Sequence, residues 1–324
     1  MGLLVDGTWQ EDVSRTKAGR FIRPTASYRN FVTPDGGPGP SGEGGFPAEA
    51  GRYHLYISLA CPWAHRTLIF RKLKKLEDVI SVSVTEPLYG KTGWEFGTGP
   101  GATLDSVNGK PTLAEVYLIA DPTYTGRVSV PVLWDKKRHT IVNNESSEII
   151  RMLNSAFEAF TDVHIDYYPA ALRAEIDRIN EIVYPNVNNG VYRAGFATSQ
   201  DAYEEAARTI FATFDQLEER LSRQRFLVGK QITEADWRLF TTLIRFDTVY
   251  YSHFKCNLRR VADYPNLWNY LRDLYQMPGI AETVSIDHIK RHYYGSQRNV
   301  NPTGIVPIGP LIDFNQPHDR SRFG

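Results

Sequence analysis

Cysteine is scarce in this chain: 324 residues contain two, Cys61 and Cys256. Two cysteines cannot build a disulfide framework, so a reducing compartment, the cytoplasm, is expected. Net charge is absent too, 37 basic residues facing 37 acidic ones, and a neutral chain has no electrostatic footprint for nucleic acid. No apolar run reaches the length of a membrane span. The opening Met1-Gly2-Leu3-Leu4-Val5-Asp6 lacks a basic segment followed by a long apolar one, and Arg322-Phe323-Gly324 is no recognised address. Neither a nucleotide-binding glycine motif nor an internal repeat is visible, and no metal is expected. What remains, 42% hydrophobic and 23% charged, is an ordinary soluble globular composition long enough for two domains.

The pattern along the chain divides it. Residues 1–50 are rich in Gly, Pro and Arg, and the stretch 34–45 cannot hold a regular element, so 1–50 is expected to be an extension or linker. A domain over 51–160 alternates strand and helix. Strands are predicted at 53–58 and 80–84, a helix at 62–76, a hairpin from 127–134 and 137–142, and a closing helix at 146–157. The connection 86–126 is too long for an ordinary loop and is expected to be a functional insertion. From 168 to 295 strand signals vanish. Apolar residues recur at helical spacing, as in Leu172/Ile176/Ile179/Val183, Tyr203/Ile210/Phe214/Leu217/Leu221 and Leu239/Leu243/Phe246. Thr233-Glu-Ala-Asp236 has the form of a capping box, and Pro265 opens a helix ending before Pro278-Gly279. Residues 296–324 form an irregular tail. The expected fold class is therefore an α/β domain followed by an all-α one.

Cys61 carries the most chemical information. It ends a buried apolar strand, and Pro62 follows at the first helical position, where its missing N–H costs nothing. A cysteine there faces free N–H groups and the positive end of the helix dipole, which favour a thiolate. His65 and Arg66 lie one turn on and are expected to add positive charge. A buried hydrophobe is the commonest use of a free cysteine, but this context favours a reactive thiol. Ala64 stands where a dithiol enzyme carries its second cysteine, so Cys61 must exchange with an external thiol. Cys256 has no helix-start context and is read as structural.

Other positions admit two readings. Val130-Pro131 is either the start of an edge strand or a cis-proline that turns the Val130 backbone outward to pair with an extended peptide. In Asn143-Asn144-Glu145-Ser146, either Asn144 or Ser146 caps the helix, or the helix start cradles a carboxylate through Ser146 while Glu145 meets an ammonium group. Trp94 is core, or a flat wall above a bound peptide. Tyr192, Tyr250, Tyr251, Tyr293 and Tyr294 are amphipathic core edges, or the walls and hydroxyl donors of an aromatic pocket.

The chain resembles the glutathionyl-hydroquinone reductases, the Xi class of glutathione transferases. The resemblance is carried by Cys61-Pro62-Trp63-Ala64, Gly93-Trp94-Glu95-Phe96, Asp121-Pro122-Thr123-Tyr124-Thr125-Gly126-Arg127 and Val130-Pro131. It continues in Asn143 to Ser146, Asn189-Gly190-Val191-Tyr192, Arg245 to Asn257, His288-Ile289-Lys290-Arg291-His292-Tyr293 and Asn301-Pro302-Thr303-Gly304. It implies a thioredoxin-like N-terminal domain and the glutathione transferase fold, with glutathione as co-substrate and no metal or nucleotide. It implies Cys61 as nucleophile; Trp94, Arg127, Val130, Glu145 and Ser146 as glutathione ligands; and Tyr192, Tyr250 and Tyr293 as quinol residues. It further implies reduction of a glutathionylated hydroquinone and a homodimer formed through the helical domain. The alternatives are an Omega-like thioltransferase or dehydroascorbate reductase, a conjugating transferase using a Tyr or Ser hydroxyl, and a non-catalytic binding module.

Overall fold

The computed structural model describes residues 2–11, 16–40 and 42–324; Met1, residues 12–15 and Ser41 of the expected 1–50 extension lie outside them. The chain forms two compact units, interleaved in sequence. One comprises Met1–Ser14, Pro24–Ile165 and Asp287–His292, the other Arg15–Arg23, Asp166–Ile286 and Tyr293–Gly324. The extension is thus divided between them, with hairpin β1 (Leu3–Val5) and β2 (Thr8–Gln10) in the first and β3 (Thr16–Lys17) with β4 (Arg20–Phe21) in the second. Residues 34–40 and 42–45 form no regular element, as their composition predicts.

In the first unit β5 (Tyr53–Ile57) is buried at every position, as a strand covered on both faces must be. Helix α1 (Pro62–Leu73) carries the chain to β6 (Ser81–Gly90), which pairs parallel with β5. It ends at Leu73, earlier than the spacing predicts, because Lys75 turns into the left-handed region at φ 49. The expected insertion loop 86–126 is a correction. Strand β6 runs on to Gly90, β7 (Gly93–Phe96) pairs back onto it, and α2 (Leu113–Ala120) follows. Gly93 makes the turn at φ 89, and the Thr112 side chain caps α2 by accepting from Glu115 N–H. Leu113, Ala114, Val116 and Tyr117 are buried. Burial of that apolar run sets a helix where length alone suggested a loop.

Strands β8 (Val132–Asp135) and β9 (Thr140–Asn143) complete an antiparallel edge, and the sheet order is β7-β6-β5-β8-β9. The stretch 127–131, expected as strand, is irregular. Asp135 fixes the hairpin turn: its Oδ1 accepts from Lys137 N–H at 2.8 Å and, with Oδ2, from Arg52 Nε at 3.0 Å. Helix α3 (Ser146–Ser155) packs along α1 and buries Ile149, Ile150 and Leu153.

The second unit is helical: α4 (Arg173–Val183), α5 (Gly190–Gly195), α6 (Gln200–Leu221), α7 (Glu234–Arg245), α8 (Pro265–Tyr275) and α9 (Ile286–Ser296). Residues 287–292 of α9 are grouped with the first unit. The spacing of apolar residues translates into burial of Ile176, Ile179, Val183, Ile210, Phe214, Leu217, Leu221, Leu239, Leu243 and Phe246, whereas Leu172 and Tyr203, at the starts of their stripes, are half-buried. The capping box exists: Asp236 Oδ2 accepts from Thr233 N–H at 2.8 Å, while Oδ1 accepts from Leu227 N–H and Tyr270 O–H, both at 2.8 Å. The tail is irregular up to a short turn at Arg320–Phe323, and Arg320 pins it by donating to the Leu221 carbonyl at 2.8 Å. Among the described residues no helix is long and apolar enough to cross a membrane.

Two buried histidines make the fold acid-sensitive. Burial lowers His54, on β5, and His253, beside Gln297, to about 4. The unfolded chain protonates both near 6.5, so their contribution is complete above that pH and is lost as pH falls from 6.5 toward 4. Each should cost about 2 kcal/mol between pH 7 and roughly pH 5. Urea unfolding at these two pH values measures this, and His253→Gln should remove about half of the combined loss.

Candidate active site

Cys61 is placed by the strand-to-helix step of the first unit. Its N–H donates to the Ser58 carbonyl at 3.1 Å, and its own carbonyl accepts the first helical bond, from His65 N–H at 3.0 Å. It is therefore the N-cap of α1, with extended backbone and Pro62 behind it, and the thiol is part-exposed. The helix axis thus points its positive end at the sulfur. Sγ lies 3.5 Å from the carbonyl oxygen of Val130.

Of the two readings of Val130-Pro131, the peptide bond is cis, and β8 begins only at Val132. The Val130 N–H makes no hydrogen bond to the described residues. Two tyrosines hold this stretch, and the sequence reading had missed both. Tyr117, on α2, donates its hydroxyl to the Ser129 carbonyl at 2.9 Å and accepts from Ser129 N–H at 3.3 Å and Asn144 Nδ2 at 3.1 Å. Tyr124 donates to the Arg127 carbonyl at 3.2 Å. Burial pushes the Tyr117 phenol up to about 12, so it stays a neutral donor. Arg127 itself is half-buried in this irregular run.

The start of α3 adjoins this network. Glu145, not Asn144 or Ser146, is the N-cap, its Oε1 accepting from Ser147 N–H at 3.0 Å and Ser147 Oγ at 2.8 Å. Asn144 is used elsewhere, accepting from Tyr28 N–H at 3.1 Å and donating to Tyr117. Ser146 is buried, and Arg66 Nη1 donates to its hydroxyl at 3.4 Å. Arg66 also lies over the Trp63 ring, 4.6 Å from its centroid. Arg66 and His65 are both buried on the inner side of α1, and the Arg66 charge is directed at Ser146.

Trp94 belongs to strand β7 and not to an insertion loop. It is buried, and its indole stacks on the imidazole of His292 at 4.7 Å and 19°. Tyr89 packs edge-on against both rings, and His292 Nδ1 donates to the Pro87 carbonyl at 2.8 Å.

The second unit gathers the other predicted group. Tyr192 (α5), Tyr250 (the turn after α7) and Tyr293 (α9) meet at their hydroxyls, 2.5 Å from Tyr192 to Tyr293 and 2.9 Å from Tyr250 to Tyr293. Phe254 lies against all three rings. Tyr294 faces elsewhere, hydrogen-bonding Ser252 and the Thr248 carbonyl, and Tyr251 is half-buried. Tyr293 is fully enclosed, and burial pushes its phenol well above the usual range. Arg23, from the extension, sits over the Tyr192 ring at 4.6 Å, and no sequence signal marked it. Among the described residues no group of His, Cys, Asp and Glu side chains could hold a metal ion.

Residues 60–156 match the glutathione S-transferase N-terminal domain and residues 200–273 its C-terminal domain. The chain is 58% identical to the glutathionyl-hydroquinone reductase YqjG of Escherichia coli (strain K12), over 100% of both chains. It is 55% identical to the glutathionyl-hydroquinone reductase PcpF of Sphingobium chlorophenolicum, over 96% of each. Among solved structures, glutathione-bound YqjG superposes with a TM-score of 0.93 over 99% of both chains. A Xi-class transferase from Natrialba magadii, 48% identical, superposes with a TM-score of 0.91 over 100% of this chain and 97% of that one.

The two thiols should behave oppositely. Burial raises the Cys256 thiol far above its ordinary range, whereas Cys61 is part-exposed. Iodoacetamide at neutral pH should modify Cys61 alone in the native protein and Cys256 only after denaturation. Peptide mapping reads this, and native labelling at Cys256 would contradict the assigned burial.

Proposed function

The chain belongs to the glutathione transferase superfamily and, within it, to the glutathionyl-hydroquinone reductases, and from that premise we propose how its own residues carry the reaction. It is an enzyme that uses glutathione to reduce glutathionyl-hydroquinones to hydroquinones. The observation that carries the proposed mechanism is the part-exposed Cys61 at the head of α1, 3.5 Å from the Val130 carbonyl.

In our reading the Cys61 thiolate attacks the glutathionyl sulfur of the substrate. The aryl carbon–sulfur bond breaks, its electron pair stays on the aryl carbon, and a proton completes the hydroquinone. The enzyme is left as a mixed disulfide between Cys61 and glutathione. A second glutathione thiolate attacks that disulfide, releasing oxidised glutathione and restoring Cys61. Because the thiol must be both ionised and nucleophilic, modest stabilisation by a helix start suits it better than an extreme one. The backbone of Val130 holds the tripeptide as an added strand, which fixes its sulfur against Cys61. Ser146 and the first N–H groups of α3 take the γ-glutamyl carboxylate, Glu145 its ammonium, and Arg127 and Trp94 the remainder. Tyr192, Tyr250 and Tyr293 bind the quinol and supply its proton. A cytoplasmic homodimer formed through the helical unit completes the proposal, supported by the scarcity of cysteine for the first part and by family membership for the second.

Removing the thiol tests the nucleophile. Cys61→Ser should lower turnover of a glutathionyl-hydroquinone about a thousandfold or more and abolish the mass increase after treatment with oxidised glutathione. Retained activity would reject Cys61.

The aromatic assignment has its own test. Tyr250→Phe should lower kcat/KM for a glutathionyl-hydroquinone roughly 100-fold and leave turnover of a small aliphatic glutathione disulfide nearly unchanged. Equal loss on both substrates would reject it.

A further inference from the structure

The N-terminal extension has a place in the second unit that the mechanism above does not use. The segment 16–23 is tied there along its length. Thr198 N–H donates to the Gly19 carbonyl at 3.0 Å, Arg20 pairs with Glu205 at 2.5 Å, and the Phe21 ring lies against Tyr192 and Phe196. Gly19 is required: its φ is 77, and a Cβ there would stand 2.4 Å from Ser199 Oγ. The segment ends on Arg23, whose Nε donates to Asn189 Oδ1 at 2.7 Å. Asn189 immediately precedes α5, which carries Tyr192 three residues later, so one helix start supplies both the anchor and the ring. With its Nε held there, the guanidinium carbon lies 4.6 Å from the Tyr192 ring centroid.

We propose that Arg23 is a positioning residue for the aryl half of the reaction: its cation fixes the Tyr192 ring and polarises the Tyr192 hydroxyl toward giving up its proton. A cation over an aromatic face is held by the ring's quadrupole, and it stabilises negative charge developing on the phenol. Such help is needed here, because three phenols buried together favour the neutral form and make a weak acid. Burial raises Tyr293, the hub of the three, outweighing the opposing charge of Arg245, and Tyr192 is the member whose ring lies under the Arg23 cation. As the carbon–sulfur bond breaks and the sulfur–sulfur bond to Cys61 forms, the aryl carbon keeps the electron pair and takes the Tyr192 proton. Solvent then returns a proton to the tyrosinate. The inference rests on the reading of Tyr192 as a quinol residue given above, and it assigns the extension a part in catalysis.

The test compares Arg23→Met, Arg23→Lys and Tyr192→Phe in the full-length enzyme, with a glutathionyl-hydroquinone as substrate. Arg23→Met should lower kcat about tenfold, the scale of a partly desolvated cation–π contact, with KM within about twofold of the parent. Formation of the Cys61 mixed disulfide with oxidised glutathione, which needs no aryl proton, should keep its rate. Arg23→Lys should recover most of the loss. If Arg23→Met does not fold, Asn189→Ala, which releases the guanidinium from its anchor, should show the same kcat-selective loss. An unchanged kcat, or an equal fall in mixed-disulfide formation, overturns the inference. Tyr192→Phe separates the two levels: if it spares quinol turnover the reading of the tyrosines fails, whereas a damaging Tyr192→Phe beside a harmless Arg23→Met rejects Arg23 alone.

Discussion

The hydroxyl of Tyr117 is the constraint on which the thiol site depends. One buried oxygen donates to the Ser129 carbonyl and accepts from Ser129 N–H and Asn144 Nδ2. It thereby joins three pieces of chain that share no ladder: the middle of α2, the run before Pro131, and the run before α3. The stretch 127–131 has no strand partner to hold it, and an irregular backbone inside a domain needs side chains to satisfy it. Tyr117 and Tyr124 supply these bonds, so Val130 meets Cys61 with its backbone still available. A phenylalanine in place of Tyr117 would leave a part-buried carbonyl and N–H and a buried amide without that partner at once.

The two units solve opposite problems. Cys61 sits at a helix start, part-exposed, where orphan N–H groups and the positive end of the helix dipole face its sulfur. The tyrosines of the second unit are enclosed, and their hydroxyls satisfy one another. Burial raises the phenol of Tyr293, the hub of the three, well above its ordinary range.

Much of this was legible in the sequence because it was local. The apolar run before Cys61, Pro62 behind it, the helical spacing of α6 and α7, and the Thr233–Asp236 box each declare their structure within a few residues. The ordered motifs of the family identified the chemistry. Features set by distant contacts were not legible. Strand β6 continues through Pro87 because β7 pairs on its edge, and α2 forms because its apolar face finds the sheet. Asn144 looked like a cap, yet its side chain is taken by Tyr28 and Tyr117, which leaves capping to Glu145. Arg66 also donates to the hydroxyl of Ser146, a residue 80 positions away that no local pattern links to it. Arg23 lies 169 positions from Tyr192 in sequence, and no local pattern spans that interval.

The choice between adjacent tyrosines shows why spacing alone could not finish the site. A regular helix would continue from Arg245 with each residue turned by about 100° from the last. Instead the segment Phe246–Tyr250 is a π-turn, closed by Tyr251 N–H donating to the Phe246 carbonyl at 2.8 Å, five residues back. A single such turn accommodates one extra residue without breaking the helix, and so rotates everything after it by about one residue's worth of azimuth. That rotation decides which of Tyr250 and Tyr251 is enclosed, and Tyr250 is the one placed 2.9 Å from Tyr293. A second π-turn, Tyr184–Asn188, closes in the same way on Asn189, the anchor of Arg23. Both departures from helical regularity therefore fall just where the chain must aim a side chain at the phenol cluster, and neither can be counted from apolar periodicity.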